Sequence, residues 1–267
     1  MRILISLIFF TIITTSSFAA TFNNKFVQGS FILGKTEPDS EVFIDQKKIK
    51  VSKDGYFAFG LGRDRKYDVV IIVKKNGNKK TIVKKVQKKE YNIQRIDGLE
   101  EKKVTPPEEF YKRIKRENQL IAKARSIESD LTFFTKKFII PVDNAIITGV
   151  YGSQRILNGK PKWPHYGLDF AAKEGTKIKA MLDGTVTLAE SDLFYTGGTL
   201  IFDHGHGVST LYMHMKKILV KNGQKVKQGD IIGTVGSTGR ATGAHLDVRL
   251  NWFQTRLDPA TVLDLKN

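Results

Sequence analysis

Five histidines occur in this 267-residue chain, and all of them lie after residue 160. His165 and Asp169 stand four apart in Pro164-His165-Tyr166-Gly167-Leu168-Asp169. A helix would place them on one face, but Pro164 and Gly167 oppose a helix here. On an extended segment the even separation also turns both side chains to one side. Imidazole and carboxylate are both ordinary zinc ligands. His214 closes Leu211-Tyr212-Met213-His214 after an alternating run, so it lies on a strand or ends one. Alone, it reads rather as a hydrogen-bonded core histidine. His245 and Asp247 are separated by two, which puts them on one face of a strand. On a helix they would diverge by about 200°. Leu246, Val248 and Leu250 alternate onto the opposite side, which supports the strand. His204 and His206, in Asp203-His204-Gly205-His206-Gly207, read as polar residues of a β-turn rather than ligands.

Three protein ligands with a fourth position left open is the usual arrangement of a catalytic zinc. Such an ion acidifies a bound water and polarises a carbonyl. Histidines beside it can take a proton or support a developing oxyanion.

The elements that must hold these residues are mostly strands. From residue 138 on, the candidate strands are Ile139 to Val142, Ile146 to Val150, Thr185 to Ala189, Thr199 to Asp203, Val208 to Met213 and Ile231 to Val235. Frequent glycine between them marks the tight turns and bulges of an antiparallel sheet, and no long helix is expected. From Val27 to Tyr91, short apolar or alternating runs are broken by Pro38-Asp39-Ser40, Asp54-Gly55 and Asn76-Gly77-Asn78. Asn-Gly between two such runs is a hairpin signal. A small β-sandwich is expected there, with no ligand constellation and a binding or spacer role. Pro106-Pro107 ends that pattern, and Glu108 to Ile127 carries apolar residues at helical spacing. The expected division is an export signal at 1–19, a β-sandwich at 20–100, a linker and helix at 101–130, and the metal-bearing core at 131–267.

The chain opens with Met1-Arg2, an apolar run from Ile3 to Ile13, and Ser17-Phe18-Ala19. This is the pattern of a cleaved secretory signal. The run falls short of the about 20 apolar residues that span a bilayer, so no stable membrane insertion is expected after cleavage. The expected location is the periplasm or cell envelope. There is no cysteine, so an exported chain must rely on its cores, or on cores plus a metal. Lys and Arg number 44 against 27 Asp and Glu, a formal charge of +17. Such a charge favours polyanionic partners, and outside the cytoplasm these are wall polymers and anionic lipid surfaces. Nucleic acid is set aside on the export signal. The plainer alternative is that scattered lysines only keep the protein soluble.

From about Thr148 to Val262 the chain resembles the lysostaphin/LytM-type zinc peptidases, metallopeptidase family 23. The pieces are His165-x-x-x-Asp169, Asp203-His204-Gly205-His206-Gly207, Leu211-Tyr212-Met213-His214, Val226-Lys227-Gln228-Gly229-Asp230, Gly233 to Gly239, and Gly243-Ala244-His245-Leu246. The resemblance implies a mainly β fold, with a C-terminal antiparallel sheet of the duplicated-hybrid-motif type. It implies one zinc ion and peptidoglycan as substrate. His165 and Asp169 match the first two zinc ligands. His214 and His245 match the catalytic histidines. The family's third ligand is the second histidine of a His-x-His motif, and here Asp247 stands in its place. Either Asp247 is a substituted ligand, or a histidine and an aromatic residue are missing between Leu246 and Asp247. Losing two residues preserves strand parity, so both routes turn Asp247 to the metal side. The alternative function is that of a catalytically degenerate member that activates a cell-wall amidase by binding it.

Overall fold

A computed structural model describes residues 20–265; the expected export signal lies outside the described residues. The architecture is mainly β. Near the N-terminus, Thr21–Phe22, Phe31–Lys35 and Tyr56–Gly60 form one antiparallel sheet, and Lys47–Ile49, Glu41–Ile44, Val69–Lys75 and Asn78–Lys84 form a second. Asn76 and Gly77 both take positive φ, 49° and 76°, as the two central residues of a type I′ hairpin must. Val42, Phe57, Phe59, Leu61, Val69, Ile71 and Val73 are fully buried between the two sheets.

The C-terminal part is built on one eight-stranded antiparallel sheet. Its strands are β1 (Ile146–Gly149), β2 (Leu168–Ala171), β3 (Gly184–Leu193), β4 (Gly197–Gly205), β5 (Val208–Met215), β6 (Lys225–Val226), β7 (His245–Trp252) and β8 (Thr255–Leu257). The order is β6-β3-β4-β5-β7-β2-β1, with β8 on the far end of β7. Period-two alternation divides the side chains between two faces. Leu168, Phe170, Leu200, Phe202, Tyr212, Leu246, Val248 and Leu250 fill the main core on one face. Phe31 and Ala58 of the N-terminal sheet belong to the same cluster, so the two parts share apolar interior. Each fully buried side chain of this size contributes about 1.5–3 kcal/mol.

The opposite face carries the candidate site at β7 and β2. Beside it, Leu188, Leu193, Ile201, Leu211 and Met213 pack against Ala124 and Ile121 of the helix Tyr111–Arg125. The helix is shorter than expected, because Glu108–Phe110 is a 3₁₀ turn. It lies on the core sheet and closes one end of the face. Glu117 anchors it, accepting from the Phe194 amide at 2.7 Å and from Arg113 at 2.6 Å.

Two local readings change. Ile139 to Val142 is not a strand; it attaches through only two backbone bonds, Ile139 to Met181 and Lys179 to Pro141. Gln154–Leu157 is a strand, and it pairs in parallel with Ile93–Ile96. That parallel partner is distant in sequence and leaves no hairpin signature, but the same strand also pairs antiparallel with Lys160–Pro161 across Asn158-Gly159, a hairpin signal the sequence does carry.

Candidate active site

Asp169 and Asp247 are register partners on the adjacent strands β2 and β7, so parity alone turns both carboxylates to the same face. Pairing runs without a break from Leu168↔Val248 to Ala171↔His245. His165 precedes β2 and is fixed by its backbone, with its amide on Ser153 and its carbonyl on Gly152, at 2.8 and 2.7 Å. His165 Nε2 then lies 3.1 Å from Asp169 Oδ1 and 3.3 Å from Asp247 Oδ2. One candidate ligand atom from each of the three residues falls within 4.8 Å of the others, and all three are buried.

Two glycines make room for the carboxylates. A Cβ on Gly167 would stand 1.9 Å from Asp247 Oδ1, and one on Gly149 would stand 2.1 Å from Asp169 Oδ2. Each carboxylate is also supported from behind. Arg155 Nη2 approaches Asp169 Oδ2 at 3.3 Å. Arg249 grips Asp247 with Nη2 at 3.0 Å and Nε at 3.3 Å. Burial opposes ionisation of Asp247, but Arg249 and His165 outweigh it and hold the carboxyl well below its usual range. Burial likewise lowers the His165 pKa, and the two carboxylates more than reverse this.

The cluster has the geometry of a metal-binding pocket. His165 Nδ1 faces the Val150 carbonyl at 3.3 Å. A neutral imidazole has one proton to share between that carbonyl and two carboxylate oxygens. Asp169 Oδ1 is buried and makes no hydrogen bond. Donor spacings of 3.1 and 3.3 Å match the about 3.3 Å expected between ligands of a tetrahedral zinc with bonds near 2.0–2.1 Å. One imidazole nitrogen and two carboxylate oxygens suit zinc chemically, and the residues present fit that ion.

His214 and His245 stand beside the cluster with ring centroids 4.8 Å apart. His214 breaks the alternation of β5. Tyr212 faces the core and Met213 faces the helix, so the next residue should return to the core. Instead His214 has φ 62° and Met215 takes the core position. Left-handed backbone at a non-glycine costs about 1–2 kcal/mol, offset by amide and ring bonds to Thr196 and Thr238 carbonyls, both 2.8 Å. A carbonyl only accepts, so His214 carries its proton on Nδ1 and presents a lone pair at Nε2. His245 does the same through the Gly243 carbonyl at 2.9 Å. Burial, reinforced by His245, pushes His214 down to about 4, so it is neutral at pH 7. A cavity of about 270 Å³ opens onto Asp169, His214 and His245, and Gln94, Ile96 and Leu99 form part of its wall.

Of the five residues singled out in the sequence, Asp169, His214 and His245 line the cleft, and His165 and Asp247 are buried beside Asp169. His204 and His206 do not reach it. His204 is buried between the Asp183 carbonyl and the Thr210 hydroxyl, and His206 lies in the β4–β5 turn against Phe134. Sequence reading missed Arg155, Arg249, Gly149 and Gly167. Arg249 was findable, because it is two residues beyond Asp247 on the same strand.

The profile described as Peptidase family M23 matches residues 163–259. The catalytic domain of the antimicrobial peptidase lysostaphin from Staphylococcus simulans is 33% identical, with 44% of this chain aligned to 91% of that domain at a TM-score of 0.40. Residues 163–259 form a peptidase family M23 domain. The crystal structure of a peptidase M23 from Pseudomonas aeruginosa is similar over 90% of this chain and 95% of its own, at 29% identity and a TM-score of 0.65. That breadth extends the likeness to the N-terminal sheets. Peptidoglycan DD-endopeptidase ShyA from Vibrio cholerae is 45% identical over 87 residues, 33% of this chain and 20% of ShyA. The chain spans between a fifth and about a quarter of such curated relatives' length.

Proposed function

We propose that this protein is an exported, zinc-dependent endopeptidase that hydrolyses amide bonds in the stem peptides or cross-bridges of peptidoglycan. The observation that carries the reading is the convergence of His165 Nε2, Asp169 Oδ1 and Asp247 Oδ2 beside two histidines with free Nε2 atoms. The M23 assignment and the activity in ShyA's name support peptidase chemistry on wall peptide.

Zinc, when bound by His165, Asp169 and Asp247, supplies Lewis acidity toward water and the scissile carbonyl. The chain's own residues do the rest. His245 Nε2 accepts the proton released when water attacks, and returns it to the leaving amine. Its Nδ1–H stays on Gly243, which fixes the ring. His214 holds the second side of the cleft as a neutral imidazole, and its Nε2 orients water by accepting a hydrogen bond. Arg155 and Arg249 hold the two carboxylates in position. Hydrogen-bonded partners of this kind typically change metal affinity 10- to 100-fold.

In domain terms, we propose the division 20–100, 101–130 and 131–267, with wall attachment as the role of the first unit and positioning of the cleft wall as that of the second. Secretion to the periplasm or envelope belongs to the same reading, and N-terminal sequencing of the exported protein tests it, with a start near Ala20 expected.

His165→Ala should lose bound zinc and wall hydrolysis together. If that variant digests purified wall at the parent rate, the assignment of the ligands fails. One observation favours a second reading, a metal-free binding protein that stimulates a wall amidase: two guanidinium groups already balance the two carboxylates. Pure protein without metal, inert on wall but stimulating an amidase, would decide for it.

A further inference from the structure

Arg155 and Arg249 each meet a carboxylate of the cluster, but a third arginine at the cleft does not. Arg240 lines the cavity with Asp169, His214 and His245. Its guanidinium carbon lies 4.5 Å from the centroid of the Tyr195 ring. Its backbone amide donates to the Tyr195 carbonyl at 2.8 Å, and Nη1 donates to the Lys103 carbonyl at 3.3 Å. Tyr195 is itself held edge-on by Phe194 at 4.9 Å. The guanidinium plane is thus fixed, with one of its five N–H donors bonded within the described residues. No ion pair to Arg240 occurs among the described residues.

We infer that Arg240 forms a carboxylate-binding subsite, and that the amide cut in this cleft has a free carboxylate close beside it. The inference rests on the peptidase reading above, and it names the feature of the substrate that this particular chain selects. A planar guanidinium pairs with a planar carboxylate through two parallel hydrogen bonds. Stacking on Tyr195 removes most of the ordering cost that a flexible lysine would carry. Burial and the nearby Arg155 and Arg249 push Arg240 down to about 10, which leaves it a cation at neutral pH. Repulsion among those arginines is relieved when an anion arrives.

The test uses the zinc-loaded full chain and one cross-linked peptide dimer in two forms. In one form the carboxyl beside the scissile amide is free, and in the other it is amidated. The parent should favour the free acid by about 10- to 100-fold in kcat/KM, the range of a hydrogen-bonded charge pair, with the difference in KM. Arg240→Gln should lose that preference while cleaving the amidated form within about twofold of the parent. Arg240→Lys should keep part of it. Equal handling of the two forms by the parent, or an equal slowing of both by Arg240→Gln, would overturn the subsite. Calorimetric binding of both forms to His245→Ala separates the two claims. Preference for the acid without any hydrolysis by the parent would retain the subsite and refute the peptidase reading. Equal binding there would refute the subsite alone.

Discussion

At the scale of single residues, the site depends on small side chains as much as on ligands. Gly167 has an ordinary backbone conformation, so Gly167→Ala should fold, yet its new methyl would meet Asp247 Oδ1. The same methyl would stand 2.8 Å from the Val248 carbonyl oxygen, so some thermal stability should be lost as well; zinc affinity should drop about 10- to 100-fold, and unchanged affinity by metal titration would show that Asp247 is not a ligand. Arg249→Met removes the partner of a buried carboxylate. The metal-free variant should lose about 3–5 kcal/mol, and it should bind zinc about 10- to 100-fold more weakly, so zinc should stabilise it less than the parent. Equal zinc-induced stabilisation of parent and variant would contradict this. His204 gives a pH dependence away from the cleft. Burial holds it neutral, down to about 4, with Nδ1 on Asp183 and Nε2 facing Thr210. The unfolded chain, with a pKa near 6.5, binds a proton that the folded chain refuses, so stability rises with pH in that window. It should be fully present above about pH 6.5 and lost, by a few kcal/mol, as pH falls toward 4. Urea unfolding should show this slope in the parent and a shallower one in His204→Gln. At this scale the convergence of His165, Asp169 and Asp247 was legible, because His-x-x-x-Asp and His-x-Asp are parity patterns. Arg155 was not, because it is brought in by a parallel pairing distant in sequence.

At the scale of elements, β7 does two tasks at once. Leu246, Val248 and Leu250 are fully buried on one side while His245, Asp247 and Arg249 line up on the other. The apolar alternation was readable directly. The break at His214 was not, because positive φ at a histidine has no periodic signature. The helix Tyr111–Arg125 was expected from its spacing, but its docking surface was not, since amphipathicity names a buried face without naming its partner. Its position depends on Glu117, which pairs Arg113 and caps the Phe194 amide. Glu117→Ala should therefore cost about 1–3 kcal/mol and accelerate hydrogen exchange at Phe194. Unaltered exchange there would mean that the helix is held by its apolar contacts alone.

At the scale of the whole molecule, the two N-terminal sheets and the core sheet are joined through shared interior, with Phe31 against Phe138 at 6.4 Å and Leu257 closing on Gly60. The β-strands of the N-terminal region were legible from its turn chemistry. Its fusion to the core was not, since Phe31 and Ala58 look like ordinary members of their own sheet. No helix among the described residues is long and apolar enough to cross a membrane. The charge of +17 should act over distances that salt screens, about 10 Å at 0.1 M and about 3 Å at 1 M. Binding to purified anionic wall should weaken steadily across that range. Salt-independent binding would shift the attraction from charge to specific contacts.

X-ray absorption at the zinc edge, on protein purified with stoichiometric zinc, probes the shared ligand set itself. One ion per chain should show one histidine nitrogen and two carboxylate oxygens at about 2.0–2.2 Å, plus a solvent oxygen. Asp247→Ala should lose one oxygen and most of the affinity. A spectrum and affinity unchanged by Asp247→Ala would show that the third carboxylate serves Arg249 and not a metal.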